Sequence, residues 1–289
     1  MKSILVGAVA YAPQIVPIWD TIRDYANEYF KDIRLDYVLF SNYERQVQWL
    51  LDGKIDIAWN TNVAYIRAKA ASNKAKAILL RDTDINFQSV FVSKKDTITS
   101  IDDLHGKKFG LGSLDSAQAA IMPLYFLEKN NIKFKEYSIE DIKNVDNKDC
   151  VAICRFNSDV GKHGDTGRSE FDVLDKIKSG ELDAGAIGST TWARILHDGS
   201  YPDISSFYNT PDYCHCNFTI IDTLDASLKN AFLDMMLSQN KLTHDPKIAS
   251  MMKLEGLNKW VLCDDDILSG YDSINEAMSK QNLKDIPKY

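Results

Sequence analysis

The sequence lacks the features of a membrane-spanning or nucleic-acid-binding protein. No stretch of the 289 residues approaches the roughly 18 consecutive apolar residues that a transmembrane helix needs. The net charge is −7, so we expect no broad basic surface that could hold a nucleic-acid backbone. We therefore expect no membrane span and no nucleic-acid partner.

The sequence also lacks an evident export signal and a disulfide framework. Met1 and Lys2 lead directly into ILVGAVAY, which is too short for the apolar core of a signal peptide and precedes no cleavage site. The five cysteines are an odd number and do not resemble a secreted disulfide scaffold. From the sequence as written we expect a cytoplasmic protein; removal of an export signal would instead make it periplasmic or lipid-anchored.

Familiar catalytic and cofactor motifs are absent as well. The sequence contains no Walker phosphate loop, no G-x-G-x-x-G, no H-E-x-x-H and no G-x-S-x-G. It has no four-ligand zinc spacing. We therefore expect no cofactor and no bound metal.

What the sequence does contain is an alternation of short apolar runs and helical patterns. Strands predicted at 3–10, 35–40, 55–58 and 77–80 are separated by amphipathic segments. This pattern predicts an α/β fold in which helices cover both faces of a mostly parallel sheet. An apolar content of 45% is sufficient for two cores.

A second set of strands predicts a second lobe. These strands lie at 88–94, 107–111, 150–156 and 183–188, and residues 204–221 are interpreted as two strands that return to the first lobe. The prediction is therefore lobe I at 1–88 plus 214–289 and lobe II at 89–213. Two chain crossings would form a hinge, and the cleft between the lobes is the expected ligand site.

Details of several elements follow from local patterns. A helix is predicted at 116–129 with a kink at Pro123, and a helix after 188 is predicted to be capped by Ser189, Thr190 and Thr191. Three C-terminal helices are predicted at 226–238, 246–252 and 264–279.

Four stretches carry a resemblance to a known family. They are GAVAYAP near the N-terminus, DGKIDIAW followed by AYIRA, SIDDLHGKKFGLGSLDSAQ at 100–118 and SGELDAGAIG at 179–188. Together they resemble the phosphonate-binding family of ABC-transporter solute receptors. The resemblance implies a two-lobed, type II periplasmic-binding-protein fold, hinge closure on a small ligand, and an ABC permease as partner.

The first lobe supplies candidate ligand residues where its strands end. Ligands of open α/β sheets bind outside the carboxyl ends of the strands. Polar and aromatic side chains fall at these ends, and we expect them to contact ligand: Tyr11, Asn42, Tyr43, Trp59, Asn60 and Asn62.

The second lobe supplies a polar loop at a helix N-terminus. In the family that the chain resembles, the corresponding loop grips an anionic head group, and here Ser113, Ser116 and Gln118 keep hydrogen-bond donors. Asp115 adds a carboxylate, which repels a phosphonate unless it meets a cation or a protonated ligand oxygen; it could also simply cap the helix. We therefore expect a ligand with both an acid and a hydroxyl or amine, not a bare oxyanion.

Two further segments combine charged, histidine and cysteine residues. In GKHGDTGR, Lys162 and Arg168 could bind an anion, and His163 oriented by Asp165 could carry acid–base chemistry. In CHCNFT, strand alternation predicts Cys214 and Cys216 on one face and His215 on the other. Such cysteines could bind a soft metal, but buried structural cysteines are the favoured interpretation.

The sequence thus predicts a non-catalytic solute-binding protein for a small polar, anionic ligand, phosphonate-like or carboxylate-bearing. The first lobe would contribute the six residues named above, and the remaining ligand contacts would be Ser113, Asp115, Ser116, Gln118, His163, Arg168 and His215. The alternative is a cytoplasmic biosynthetic enzyme on the same fold, which would use His163, Asp165, His215 and Cys216.

Overall fold

The computed structural model describes residues 1–10, 12–146, 148–156 and 168–287. The chain forms two compact units. Unit 1 comprises Met1–Asn86, Tyr213–Asn275 and Asn282–Tyr289, and unit 2 comprises Phe87–Asp212 and Glu276–Gln281. The predicted lobe boundaries differ from these by one or two residues at each crossing, and the segment 276–281 was predicted in lobe I.

Strands and helices alternate along most of the chain. The strands are β1 (Lys2–Val9), β2 (Ile33–Phe40), β3 (Ile57–Asn60), β4 (Ala75–Arg81), β5 (Ser89–Lys94), β6 (Lys108–Leu111), β7 (Phe134–Glu136), β8 (Val151–Arg155), β9 (Ala184–Gly188), β10 (Ile204–Asn209), β11 (Asn217–Ile221) and β12 (Trp260–Leu262). The helices are α1 (Ile15–Tyr29), α2 (Tyr43–Leu51), α3 (Asn62–Ala71), α4 (Met122–Lys129), α5 (Ile139–Ile142), α6 (Arg168–Ser179), α7 (Ser189–Asp198), α8 (Ala226–Ser238), α9 (Pro246–Glu255), α10 (Asp265–Ser269) and α11 (Asp272–Lys280).

Each unit is built on one mixed sheet, which within the described residues has six strands. The order is β12-β4-β11-β3-β1-β2 in unit 1 and β10-β5-β9-β6-β8-β7 in unit 2. In unit 1, β1 pairs in parallel with β2 and β3, whereas β11 runs antiparallel between β3 and β4. In unit 2, β9, β6, β8 and β7 are parallel and β5 is antiparallel to β9. The predicted α/β class, with helices flanking two sheets, is confirmed, and both sheets are mixed.

The helical periodicity of α1 explains how the sheet of unit 1 is covered. Ile15, Ile18, Trp19 and Ile22 recur at three- and four-residue intervals, and all four are buried. They join a core cluster with strand residues such as Phe218. The burial of this stripe, and not local propensity alone, keeps the helix against the sheet.

Several local predictions were wrong, each for a physical reason. The irregularity in the helix after Ser116 is a π-helical turn at Ala117–Ile121, upstream of Pro123, because proline is tolerated in the first turn of α4. The N-cap of α7 is Gly188, not a hydroxyl residue. The predicted helix at 264–279 is divided into α10 and α11 around Gly270.

No helix within the described ranges combines the length and apolarity that crossing a membrane requires.

Candidate functional site

The carboxyl ends of β3 and β4 and the start of β11 lie at one edge of the sheet in unit 1. A buried chain of side-chain hydrogen bonds runs along this edge. Gln46 Nε2 donates to Asn60 Oδ1 (2.8 Å), and Asn60 Nδ2 donates to Thr219 Oγ1 (3.0 Å). Thr219 Oγ1 donates to Asn217 Oδ1 (2.7 Å), whose amide nitrogen donates to the Tyr271 hydroxyl (3.1 Å). These buried hydrogen bonds restrict the side chains along the edge, although Gln46 Oε1 has no hydrogen-bond partner among the described residues.

A charged cluster adjoins this network at the end of β4. The Arg81 guanidinium donates to both oxygens of Asp84, through Nε (2.6 Å) and Nη2 (2.8 Å). His215 Nδ1 lies 3.5 Å from Asp84 Oδ1 and 3.1 Å from Cys216 Sγ. Asp84, His215 and Cys216 are all buried. We call these four residues the Arg81 cluster.

Electrostatics keep the carboxyl of this cluster ionised. Burial by itself raises the pKa of Asp84, but the attraction of Arg81 and hydrogen bonds from Arg81 and His215 outweigh it, and the pKa is lowered to about 2. Arg81 is held from its other side by the Glu255 carbonyl (2.6 Å) and carboxylate (3.3 Å). Its guanidinium carbon lies 5.3 Å from the centre of a Trp59 ring, within cation–π range.

In unit 2, helix N-termini meet at one edge of the sheet. The parallel strands β8, β6 and β9 are neighbours, so their carboxyl ends lie side by side. Ser116, after β6, caps the next helix by accepting a hydrogen bond from Ala119 N (3.1 Å), and α7 begins directly after β9. Helix N-termini carry a partial positive charge that favours anions.

The loop Gly112–Ser116 is held against the first turn of α6. Ser113 N donates to Ser169 Oγ (3.4 Å), and Gly112 N donates to Ala119 O (2.8 Å). A Cβ atom at Gly112 would lie 2.6 Å from Ala119 Cβ and 3.0 Å from Ser169 Oγ, so only glycine permits this approach. The loop backbone therefore has a defined position at the sheet edge.

Glu170 connects two of these N-termini. One carboxylate oxygen accepts from Gln118 Nε2 (3.1 Å), and the other accepts from Gly188 N (2.9 Å). Glu170 is 1% exposed. It thereby fixes the side chain of Gln118 relative to the start of α7.

The structure brings some of the predicted ligand residues together in unit 1. Asn60 and Asn62 are fully buried; Asn60 belongs to the network, and Asn62 donates to Cys214 O (3.0 Å). Trp59 and Tyr43 are buried within apolar clusters, and Asn42 is the N-cap of α2, accepting from Arg45 N (2.9 Å). These contacts give Asn42, Tyr43 and Trp59 structural roles and leave their ligand contacts as predictions.

In unit 2 the predicted serines and Gln118 share one edge, and Arg168 adjoins it. Ser113, Ser116 and Gln118 are buried, whereas Asp115 is half-buried and is not the helix cap, a role that Ser116 fills. Arg168 begins α6, and its exposed side chain pairs with Asp172 (2.9 Å). Lys162, His163 and Asp165 of the glycine-rich segment, and Tyr11, lie outside the described residues.

The predicted alternation at residues 214–216 was wrong. Strand β11 begins only at Asn217, and the preceding segment is irregular. As a result His215 and Cys216 meet through their side chains, whereas the Cys214 thiol donates to Ile267 O (3.3 Å). Burial raises the pKa of Cys214 to about 12, so it remains a neutral thiol.

Sequence reasoning missed Arg81, Asp84, Glu170 and Thr219. Arg81 ends β4 and Asp84 follows it in RDTD, as Asn60 ends β3 and Asn62 follows it, and this shared position was a usable signal. Thr219 and Glu170 gave no comparable signal, because their partners are distant in sequence.

Comparisons with known proteins agree with this architecture. Residues 9–266 match the model of a family described as ABC transporter, phosphonate, periplasmic substrate-binding protein. The chain belongs to this family. The resemblance noted in the sequence is therefore confirmed over most of the chain.

Individual relatives are distant. A probable ABC transporter phosphite-binding protein, PhnD1 from Prochlorococcus marinus (strain MIT 9301), is 25% identical over 191 residues, which are 63% of this chain and 57% of the relative. The match thus spans little more than half of that protein.

Solved structures show the fold. PhnD1 of the same organism in complex with methylphosphonate has a TM-score of 0.69 at 20% identity, covering 98% of this chain and 99% of that one. XAC2383 from Xanthomonas citri bound to ATP has a TM-score of 0.75 at 16% identity, with both chains fully covered. The predicted type II periplasmic-binding-protein fold is confirmed. Family membership also favours a substrate-binding protein over the biosynthetic enzyme.

Proposed function

We propose that this protein binds a small phosphorus oxyanion, a phosphonate or phosphite, and presents it to the permease of an ABC transporter. The observation that carries the proposal is the edge of unit 2, where the Ser116 cap, Ser113 and the start of α7 place hydroxyl groups and helix N-termini side by side. Membership of the phosphonate-binding family supports the same ligand class.

The carboxylates near this edge narrow the ligand further. Asp115 lies in the loop, and the buried Glu170 accepts hydrogen bonds from Gln118 and Gly188 at the same edge. A fully ionised anion would be repelled by Asp115, whereas a ligand with a protonated oxygen or an amine could donate a hydrogen bond to it. We therefore propose that the ligand carries at least one such donor, as hydrogen phosphite, monoprotonated phosphonates and aminoalkylphosphonates do.

Calorimetric titration of the full-length protein tests the ligand class. The panel is phosphite, methylphosphonate, 2-aminoethylphosphonate, phosphate and methanesulfonate. We expect a donor-bearing phosphorus compound to bind most tightly and methanesulfonate, which carries no proton at neutral pH, to bind least. Binding of none of them, or tighter binding of the sulfonate, contradicts the proposal.

A pair of cap variants tests the site. Ser116→Ala and Ser138→Ala each remove a serine N-cap, and each should cost about 1 kcal/mol of stability. Only Ser116→Ala should also weaken binding, by about tenfold or more, because it removes a donor to a charged ligand. Equal ligand affinities of the two variants would show that the ligand does not contact Ser116.

Asp115→Asn tests the role of the carboxylate. We expect this variant to weaken binding of 2-aminoethylphosphonate and to strengthen binding of methanesulfonate, because the repulsion is removed together with the acceptor charge. The ratio of the two dissociation constants is the measured quantity. An unchanged ratio would show that Asp115 does not face the ligand.

We further propose that the protein works outside the cytoplasmic membrane, as the family's description indicates, and not in the cytoplasm as expected from the sequence. Fractionation of cells expressing the native gene tests this location. Co-purification with the permease, dependent on added ligand, tests the transporter partner. The predicted closure of two lobes remains a prediction, which small-angle scattering with and without ligand can test.

A further inference from the structure

The Arg81 cluster contains groups that the proposed oxyanion site in unit 2 does not use. A carboxylate, an imidazole and a thiol offer ligand atoms that all lie within 4.8 Å of one another, and all three residues are buried. They come from two separate parts of the chain, Asp84 after β4 and His215 with Cys216 before β11. Their convergence is therefore a product of the tertiary fold and not of sequence proximity alone.

We propose that Asp84, His215 and Cys216 form a binding site for a thiophilic divalent cation of the zinc type. This proposal goes against the expectation from the sequence, which was that no metal is bound. It is independent of the oxyanion proposal, because its residues lie in unit 1 and its test uses metal alone.

The distances in the cluster suit a tetrahedral ion. Zinc binds nitrogen and carboxylate oxygen at about 2.0 Å and thiolate sulfur at about 2.3 Å, which gives ligand-to-ligand separations of about 3.3–3.6 Å. His215 Nδ1 lies 3.5 Å from Asp84 Oδ1 and 3.1 Å from Cys216 Sγ. The Asp84 carboxylate and Cys216 Sγ lie within 4.8 Å of each other, so binding of an ion requires shifts of these side chains toward the tetrahedral separations. Three protein ligands leave one coordination position for water or an anion.

The charges of the surrounding residues also suit a divalent ion. Arg81 carries one positive charge, and Asp84 and Glu255 carry one negative charge each. When Cys216 binds the ion as a thiolate, its proton passes to solvent, and the Arg81 cluster together with Glu255 then holds two net negative charges. A divalent cation neutralises them, which is the condition for burying charged groups at low cost.

Arg81 lies where an outer-shell residue would hold the metal-binding carboxylate of Asp84 in place. Its two hydrogen bonds fix the plane of the Asp84 carboxylate. Ligating carboxylates in metal sites are commonly held by such hydrogen bonds. The Glu255 contacts and the Trp59 ring hold Arg81 in turn.

The test uses the purified full-length protein after dialysis against a chelator and long incubation with Zn²⁺ or Co²⁺. We expect one metal ion per chain by elemental analysis and a thiolate-to-cobalt charge-transfer band in the near ultraviolet. Affinity should rise with pH, because the thiol loses its proton on binding. No bound metal, or a cobalt spectrum without the thiolate band, overturns the proposal.

Variants assign the ligands. Loss of an outer-shell partner lowers metal affinity by about 10- to 100-fold. Cys216→Ser and His215→Asn each remove a direct ligand, so each should lower zinc affinity by more than this. Cys150→Ser, in unit 2, is the matched control and should leave affinity and spectrum unchanged. Unchanged zinc affinity in both Cys216→Ser and His215→Asn overturns the proposal.

A measurement on the unmodified protein decides the question if these variants do not fold. Iodoacetamide labelling followed by peptide mass spectrometry should show that zinc protects Cys216 and leaves labelling of Cys150 unchanged. Equal labelling of Cys216 with and without zinc overturns the proposal. Neither result changes what we expect for phosphonate binding. Failure of the metal proposal can therefore be distinguished from failure of the proposed function.

Discussion

Asp84→Asn should destabilise unit 1 strongly, because it leaves the Arg81 charge without its main partner. The change keeps the shape of the side chain and removes its charge. Asp84 is fully buried, and both of its oxygens accept hydrogen bonds from Arg81. Removal of one partner from a buried ion pair typically costs about 3–5 kcal/mol. Because Glu255 still pairs with Arg81 at 3.3 Å, we expect the lower end of this range.

The pKa of Asp84 gives a second way to calculate how much its ionised carboxylate contributes to the free energy of unfolding. Its pKa is about 2 in the folded protein instead of the ordinary 3.8, mainly because Arg81 outweighs the effect of burial. This difference corresponds to roughly 2–3 kcal/mol of stability at neutral pH. Since the folded pKa is lowered, the contribution is complete above about pH 4 and is lost as the pH falls toward 2. The stability difference between wild type and Asp84→Asn should therefore be constant from pH 7 to 5 and should narrow below pH 4.

Urea titration followed by tryptophan fluorescence measures this difference. Of the five tryptophans only Trp192 belongs to unit 2, so the signal reports mainly on unit 1. A chelator in the buffer removes any contribution of bound metal. Asp52→Asn is the matched control, because Asp52 pairs with Lys54 (2.8 Å) on the surface and its loss should leave the midpoint unchanged. A loss of less than about 1 kcal/mol for Asp84→Asn, or a difference that does not narrow in acid, would refute this account of the cluster.

Three further substitutions have expected outcomes. Phe218→Ala should lower the free energy of unfolding, measured by urea titration, by about 3–5 kcal/mol. Phe218 is fully buried among aromatic rings, and its ring centre lies 4.6 Å from that of Trp59. Tyr271→Phe should cost about 1–3 kcal/mol in the same assay, because the buried amide of Asn217 loses its acceptor; a change within error would show that the network is not closed there. Gly112→Ala should weaken phosphonate binding in calorimetry by displacing the loop of unit 2; unchanged affinity would mean that the loop does not bind ligand.

The order of elements was accessible from the sequence because apolar periodicity is local. The buried stripe of α1 and the short apolar run of β3 each indicate their structure within a few residues. The three-residue strands β7 and β12 were missed, because so short a segment carries no measurable period. A kink was predicted at Pro123, whereas the π-helical turn lies upstream of it, because sequence alone does not show that Pro123 falls in the first turn of α4.

The candidate site was accessible only in part, because its contacts join distant residues. Position at a strand end drew attention to Asn60, but its partner Thr219 is 159 residues away. His215 was assigned to the wrong face, because the alternation rule applies to a strand and the segment before Asn217 is not one. Arg81 and Asp84 are only three residues apart in the sequence. The importance of their ion pair depends on burial, and the polar segment RDTD does not indicate that these residues are buried.

The two units have different polar groups at their sheet edges. This difference bears on how a protein of net charge −7 can bind an anion. Exposed charges are screened beyond about 8 Å at physiological ionic strength, so the overall negative charge contributes little at a buried site. Helix N-termini act within their first turn, and hydroxyl and backbone donors act at hydrogen-bond distance. The edge of unit 2 carries the hydroxyl groups of Ser113 and Ser116 and the helix N-terminus that Ser116 caps. Directional hydrogen bonds, together with the local charge of Asp115, would let such a site distinguish oxyanions by the position of their protons.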